Sequence, residues 1–123
     1  MTVRDAADAL VDALATIDGL RVYRDLGATV EPPAVLIGAP ALGWRSFGGP
    51  APTSARFPLF VVCAADEWAL STLWELVPRV AAAVESHVQA AAVQDGPAAA
   101  QPTTVHTSGV ELPAYELTIE VDL

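Results

Sequence analysis

The chain has 123 residues, a formal net charge of −9 and no lysine. That length predicts a single domain, residues 1–123, able to bury a core without disulfide or metal staples. A chain whose fixed cations are Arg4, Arg21, Arg24, Arg45, Arg56 and Arg79 lacks the positive surface that binding to nucleic-acid phosphates or to an anionic membrane requires.

The apolar share is 53%, much of it alanine, so the core must rest on Leu, Val, Ile and the aromatic residues. The only cysteine, Cys63, lies in the run Phe60-Val61-Val62-Cys63-Ala64. An internal disulfide is impossible, which fits a reducing compartment, and Cys63 reads as a small buried hydrophobe. The N-terminal stretch is polar and acidic, so no signal peptide is expected, and no segment approaches a transmembrane length.

Val3, Ala6, Ala7, Leu10, Val11, Leu14 and Ile17 recur at three- and four-residue steps and predict a helix over 3–17. Thr2 is its cap, Asp5 completes a capping box, Asp18-Gly19 ends it, and Arg4–Asp8 is an i,i+4 pair. A short strand follows at Leu20–Tyr23, and a connection closes at Pro32-Pro33. Ala34–Gly38 reads as a strand covered on both faces, because its apolar run is continuous. Residues 39–54 are polar and glycine-rich: Leu42, Trp44 and Ser46 alternate as a strand extension, and Gly48–Pro52 reads as a turn or a mobile loop.

Ala55–Ala64 is the expected central strand, with a bulge or an edge at Pro58. Ala65-Asp66-Glu67 is expected to open a second helix running to about Gln89, kinked or split at Pro78. Its expected apolar stripe is Leu70, Leu73, Trp74, Val77, Val80, Ala81, Val84 and Val88, and Glu75–Arg79 is a further i,i+4 pair. After it, Ala91–Gln94 reads as the start of a strand, 95–102 as a loop, and Thr103–Thr107 has β propensity.

The sharpest pattern is the closing one. Tyr115, Leu117, Ile119, Val121 and Leu123 share one face of a strand, and Glu116, Thr118, Glu120 and Asp122 share the other. The order α-β-β-β-α-β-β predicts an α/β (α+β) domain. It has a small mixed or antiparallel sheet with both helices packed on one face, floored by the Tyr115–Leu123 side. The other face would be polar if exposed, or apolar if a partner covers it.

Nothing in the residues marks catalysis. His87 and His106 have neither an i+4 histidine nor a nearby cysteine, and no serine sits in a nucleophile-elbow context. Gly43 and Gly48-Gly49 are followed by no phosphate-binding lysine. The carboxylates of the last strand read as a solvated face rather than a cation site. No catalytic, cofactor-binding or metal-binding residue is therefore assigned. Trp74 reads as core and Trp68 as a cover for the end of the sheet. Trp44, beside Arg45 and close to Phe47, is either a plug for its loop or an interface anchor.

Taken together, several segments resemble the tail terminator proteins of long non-contractile-tailed bacteriophages, especially those infecting actinobacteria. The resemblance is carried by Ile17–Tyr23 after the first helix, Pro32–Gly38, the Phe57–Ala64 strand, the Trp74 helix and the Leu112–Leu117 strand. It spans nearly the whole chain and rests on hydrophobic patterns and turns. Head–tail joining proteins share the same texture. Pro78 and the Ala/Pro-rich 95–102 segment depart from the pattern.

The resemblance implies a non-enzymatic structural virion protein without cofactor, located at the head-proximal end of the tail and assembled in the host cytoplasm. Its partners would be further copies of itself in a hexameric ring, the major tail tube protein and the head-completion protein. DNA would pass through the ring without specific binding, and no membrane would be involved. Glu116, Glu120 and Asp122 would then line the lumen. Trp44, Arg45, Phe47, Arg21 and Arg24 would face a neighbouring subunit or the tube. A head–tail connector of another class, or a non-viral protein-binding adaptor, is the alternative.

Overall fold

The structure, a computed structural model, describes residues 2–24, 30–45, 49–87, 93–95, 99–107 and 109–123, the side chains of 86, 87 and 93–95 excepted. Among these residues the elements are α1 (Val3–Leu14), β1 (Arg21–Tyr23), β2 (Ala34–Ile37), β3 (Ala41–Gly43) and β4 (Ser54–Val62), followed by α2 (Ala69–His87), β5 (Val93–Asp95), β6 (Ala100–Thr107) and β7 (Val110–Asp122).

α1 begins where its polar residues can satisfy the free amides of a first turn. The Thr2 hydroxyl accepts the Asp5 N–H, and the Asp5 carboxylate accepts the Thr2 N–H, both at 3.1 Å. The helix stops at Leu14, three residues earlier than its periodicity suggests. Tighter i−3 bonds from Thr16 to Ala13 and from Ile17 to Leu14 take over, and Ile17 and Leu20 still reach the core. Gly19 then turns the chain at φ +77°.

The capping box has a pH signature. The Thr2 N–H, and secondarily the Thr2 hydroxyl, hold the Asp5 carboxyl below its ordinary value. A depressed folded pKa means that this contribution is complete above the unfolded carboxyl pKa of about 3.9 and is lost as pH falls through the lower folded value. Urea unfolding of Asp5→Ala and parent across that window should therefore converge toward low pH. Thr2→Ala should cost about 1 kcal/mol at neutral pH.

The seven strands form one mixed sheet, ordered β1-β2-β4-β7-β5, with β3 continuing the β2 side of β4 and β6 continuing the β5 side of β7. Only β1–β2 is parallel; β4 and β7 pair antiparallel from Ser54↔Asp122 to Val62↔Ala114 without a register break. Pro58 therefore makes no bulge against β7. Its missing amide falls on the other side, in the gap where β4 exchanges β2 (Ile37↔Leu59) for β3 (Ala41↔Arg56). There the Pro58 carbonyl still accepts the Gly38 N–H at 2.9 Å.

That junction admits no side chain at Gly38, whose Cβ would stand 2.7 Å from Pro58 Cγ. A pyrrolidine ring cannot swing aside, so Gly38→Ala should lower stability by about 1–3 kcal/mol. In a double-mutant cycle, Pro58→Ala should recover part of that loss, whereas simple additivity would show that the two sites do not meet.

Both helices lie on one face, over Val35, Ile37, Ala55, Phe57, Leu59, Val61, Leu117, Ile119 and Val121, as the alternation of the last strand predicts. The strand count is higher than predicted. β3 is a separate strand, and β6 begins at Ala100 rather than Thr103, so Ala100–Pro102 belong to the sheet and not to a loop. Pro102 is tolerated because β6 pairs only with β7 and lies at the edge.

α2 also differs from its reading. Residues 65–68 form a turn in which the Asp66 carboxylate accepts the Trp68 N–H at 2.8 Å, so the two acids precede the helix instead of opening it. The helix runs as one element across Pro78 and is not split there. Its buried stripe is Leu73, Leu76, Val80, Ala83 and Val84, while Leu70 and Trp74 face outward. The expected Arg4–Asp8 and Glu75–Arg79 pairs are not formed, and Asp8 instead binds Arg24. Val88 and Gln89 lie outside the described residues.

Candidate functional surfaces

The sheet face away from the helices divides in two. At the Val62/Ala114 end it is apolar: Val30, Ala34, Leu36, Val62, Leu112 and Ala114 are buried together, with Tyr23, Phe60 and Val105 against them. Val30 comes from the β1–β2 connection, and the Tyr23 hydroxyl fastens that connection by accepting the Glu31 N–H at 3.2 Å. Ala34–Ile37 is thus covered on both faces, as its unbroken apolar run implies.

At the Ser54/Asp122 end the face is polar. Read alone, β7 presents Glu116, Thr118, Glu120 and Asp122 and looks purely acidic. The register places Arg56 directly across from Glu120, with Nη2 3.4 Å from Oε2, and Arg45 Nη2 lies 3.4 Å from Asp122 Oδ1. Among the described side chains, three carboxylates therefore share this surface with two guanidiniums. Such exposed pairs contribute only about 0–1 kcal/mol to stability each, but they lower the local negative field. Between Arg56, Ala99, Gln101, Glu116 and Thr118 the face dips into a depression of about 470 Å³. Arg56 was missed in the sequence. Its clue was its place two residues before Pro58 and four before Phe60, on the side of β4 opposite Phe57.

The helix side carries the apolar surface that the fold leaves uncovered. Trp68 is 65% exposed, Trp74 61% and Leu70 54%, and all three lie on the outer flank or entry turn of α2. The flank is held in place: Trp74 Nε1 donates to the Tyr115 hydroxyl at 3.0 Å. Trp74 is therefore not core, contrary to its reading, and its ring rests beside β7 instead of under the helix. Trp44 is 51% exposed, so it is not a plug for its loop.

Arg21 and Arg24, candidate bridges to another subunit, are engaged within the chain, Arg21 with Glu31 at 3.3 Å and Arg24 with Asp8 at 2.6 Å. Arg45 is likewise engaged with Asp122. Phe47 lies outside the described residues.

An open recess, or cavity, of about 500 Å³ lies between the first turn of α1 and the β2–β3 connection. Val3, Ala7, Ile37 and Phe57 form its apolar lining; Arg4 adds a positive charge, while Arg24 is paired with Asp8. Among the described residues neither carboxylate, imidazole, thiol nor hydroxyl lines it.

Cys63 is buried, with Sγ 3.4 Å from the Ala69 carbonyl oxygen. Burial, aided by the Asp66 charge, pushes its thiol pKa up and disfavours the nucleophilic thiolate. His106 lies 3.4 Å from Glu111 on the exposed β6–β7 hairpin. Among the described residues no three His, Cys, Asp or Glu side chains converge as a metal site, and no helix is long and apolar enough to cross a membrane. Neither a protein-family model nor a curated protein matches this sequence.

Proposed function

We propose that this chain is a structural virion protein that closes the head-proximal end of a phage tail tube as a ring, ends tube growth and offers a docking surface to the head-completion protein. The observation that carries this reading is the distribution of uncovered surface. Large apolar side chains stand exposed in separate places: Trp68, Leu70 and Trp74 on α2 and its entry turn, and Leu42 and Trp44 at β3. β3 pairs at the Ser54/Asp122 end of the sheet, whereas Trp74 meets Tyr115, some 20 Å away along β7 at about 3.3 Å per residue. A ring of identical subunits needs two unlike patches that meet head to tail.

The resemblance of Ile17–Tyr23, Pro32–Gly38, Phe57–Ala64 and Leu112–Leu117 to tail terminators supplies the biological setting. In this reading the polar half of the open face lines the channel. With three carboxylates against two guanidiniums among the described side chains, it offers DNA no net positive surface on which to stick. The protein acts by contact alone and uses no cofactor.

The test is tube length. In a phage genome that encodes this chain, deletion should yield tails of unregulated length that fail to join heads, and supplying the protein in trans should restore uniform, joined tails. Tails of normal length that join heads without it would overturn the reading.

A further inference from the structure

We propose that the α2 flank bearing Trp68, Leu70 and Trp74 seats in the Arg4/Arg24 cavity of the next copy, making one directional contact repeated around the assembly. The inference rests on the ring reading and names the surfaces that join its subunits.

Three features of the molecule support it. The first is shape: Leu70 and Trp74 project from α2 and Trp68 from the turn that enters it, and the recess, about 500 Å³, has an apolar lining of Val3, Ala7, Ile37 and Phe57. That volume falls within the range that accepts a large aromatic anchor.

The second is charge. Asp66 and Glu67, both exposed, immediately precede Trp68, and Glu67 makes no ion pair among the described residues. Arg4 at the cavity likewise makes none, so each side presents an unmatched charge of opposite sign. In a chain of net charge −9, a contact between two copies is opposed by their mutual repulsion unless local charges complement one another.

The third is placement. Among the described residues no α2 residue lines the cavity, which borders α1, β2 and Phe57 of β4, while the flank leans on Tyr115 of β7. The projection and the recess are edged by different elements and are separate surfaces of one subunit. Between copies they give a heterologous contact, the type that closes into rings.

The experiment uses exposed positions beside each surface, Ala39 at the cavity and Ser71 next to Leu70. The Ala39→Cys/Ser71→Cys double variant, oxidised at high protein concentration, should give a ladder of linked copies on a non-reducing gel. An equimolar mixture of the two single variants should give mixed dimers in excess over either homodimer. Adding Arg4→Glu should reduce ladder yield on the order of tenfold, because it sets like charges together. Adding Glu67→Arg to that variant should restore the yield.

Each variant is first required to match the parent's circular dichroism when reduced. Absence of the ladder, homodimers as abundant as mixed dimers, or charge reversal without effect would overturn the contact. Tube-length control is scored separately in the parent protein. Loss of the ladder with intact tube capping rejects this contact alone, whereas a ladder formed by a protein that does not cap tubes supports the contact and rejects the virion reading.

Discussion

Phe57→Ala should remove about 3–5 kcal/mol of stability, a large share of the roughly 5–15 kcal/mol available to a domain of this kind. Phe57 is 1% exposed and stands midway along β4, opposite Ile119 on β7. It is the largest fully buried side chain on a face otherwise built from Val, Leu, Ile and Ala. Truncation removes an aromatic ring from the floor on which the helices rest, and neighbouring strands held in continuous register cannot close over the void. The measurement is the urea midpoint with its slope. The midpoint should fall steeply, and Phe57→Leu should retain most of the stability because it keeps most of the volume. A loss below about 1 kcal/mol for Phe57→Ala would show that this face is far looser than its burial indicates. Because Phe57 also lines the Arg4/Arg24 cavity, Phe57→Leu is the variant suited to asking whether cavity shape affects self-association.

Ile119→Asp should abolish cooperative folding at neutral pH, while Thr118→Asp, one residue away, should change stability by less than about 1 kcal/mol. Ile119 is fully buried, and no polar or charged residue is buried among the described residues to receive a carboxylate. Thr118 is exposed on the open face, in the same depression as Arg56. Burial would raise the pKa of the introduced acid in the folded state, so the folded state would bind more protons than the unfolded one. Stability would then recover as pH falls through the raised folded pKa toward the unfolded value. Circular dichroism and urea unfolding at pH 7 and at mildly acidic pH would read this directly. Equal effects at the two positions would refute the division of β7 into an apolar and a polar face.

The places where sequence and structure part company share one cause. On α2 two apolar stripes overlap, one through Leu73, Leu76, Val80 and Val84 and one through Leu70 and Trp74. Helical spacing permits either to face the core. Only docking against α1 and the sheet selects the first, leaving the second uncovered. The charged face of β7 went the same way: its acids were visible, but Arg56 and Arg45 reach them from β4 and from the residues after β3, 64 and 77 positions away in sequence. The cavity was invisible for the same reason, since its lining comes from α1, the end of β1, the β2–β3 connection and β4.

By itself, the sequence determined what depends on neighbours within a few residues: the Thr2–Asp5 capping box, the turn at Gly19, the doubly covered β2, the period-two face of β7 and, through the order of helices and strands, the α+β class with both helices on one side. Backbone geometry fixes these, because periods of 3.6 and 2 translate directly into faces. The tertiary structure alone decided which of two helical stripes is buried, which arginines temper the acidic strand, and where aromatic rings and an apolar recess beside Arg4 are left uncovered. Those outcomes depend on which distant segments are brought together by burial of apolar area, a non-directional force that no local pattern encodes.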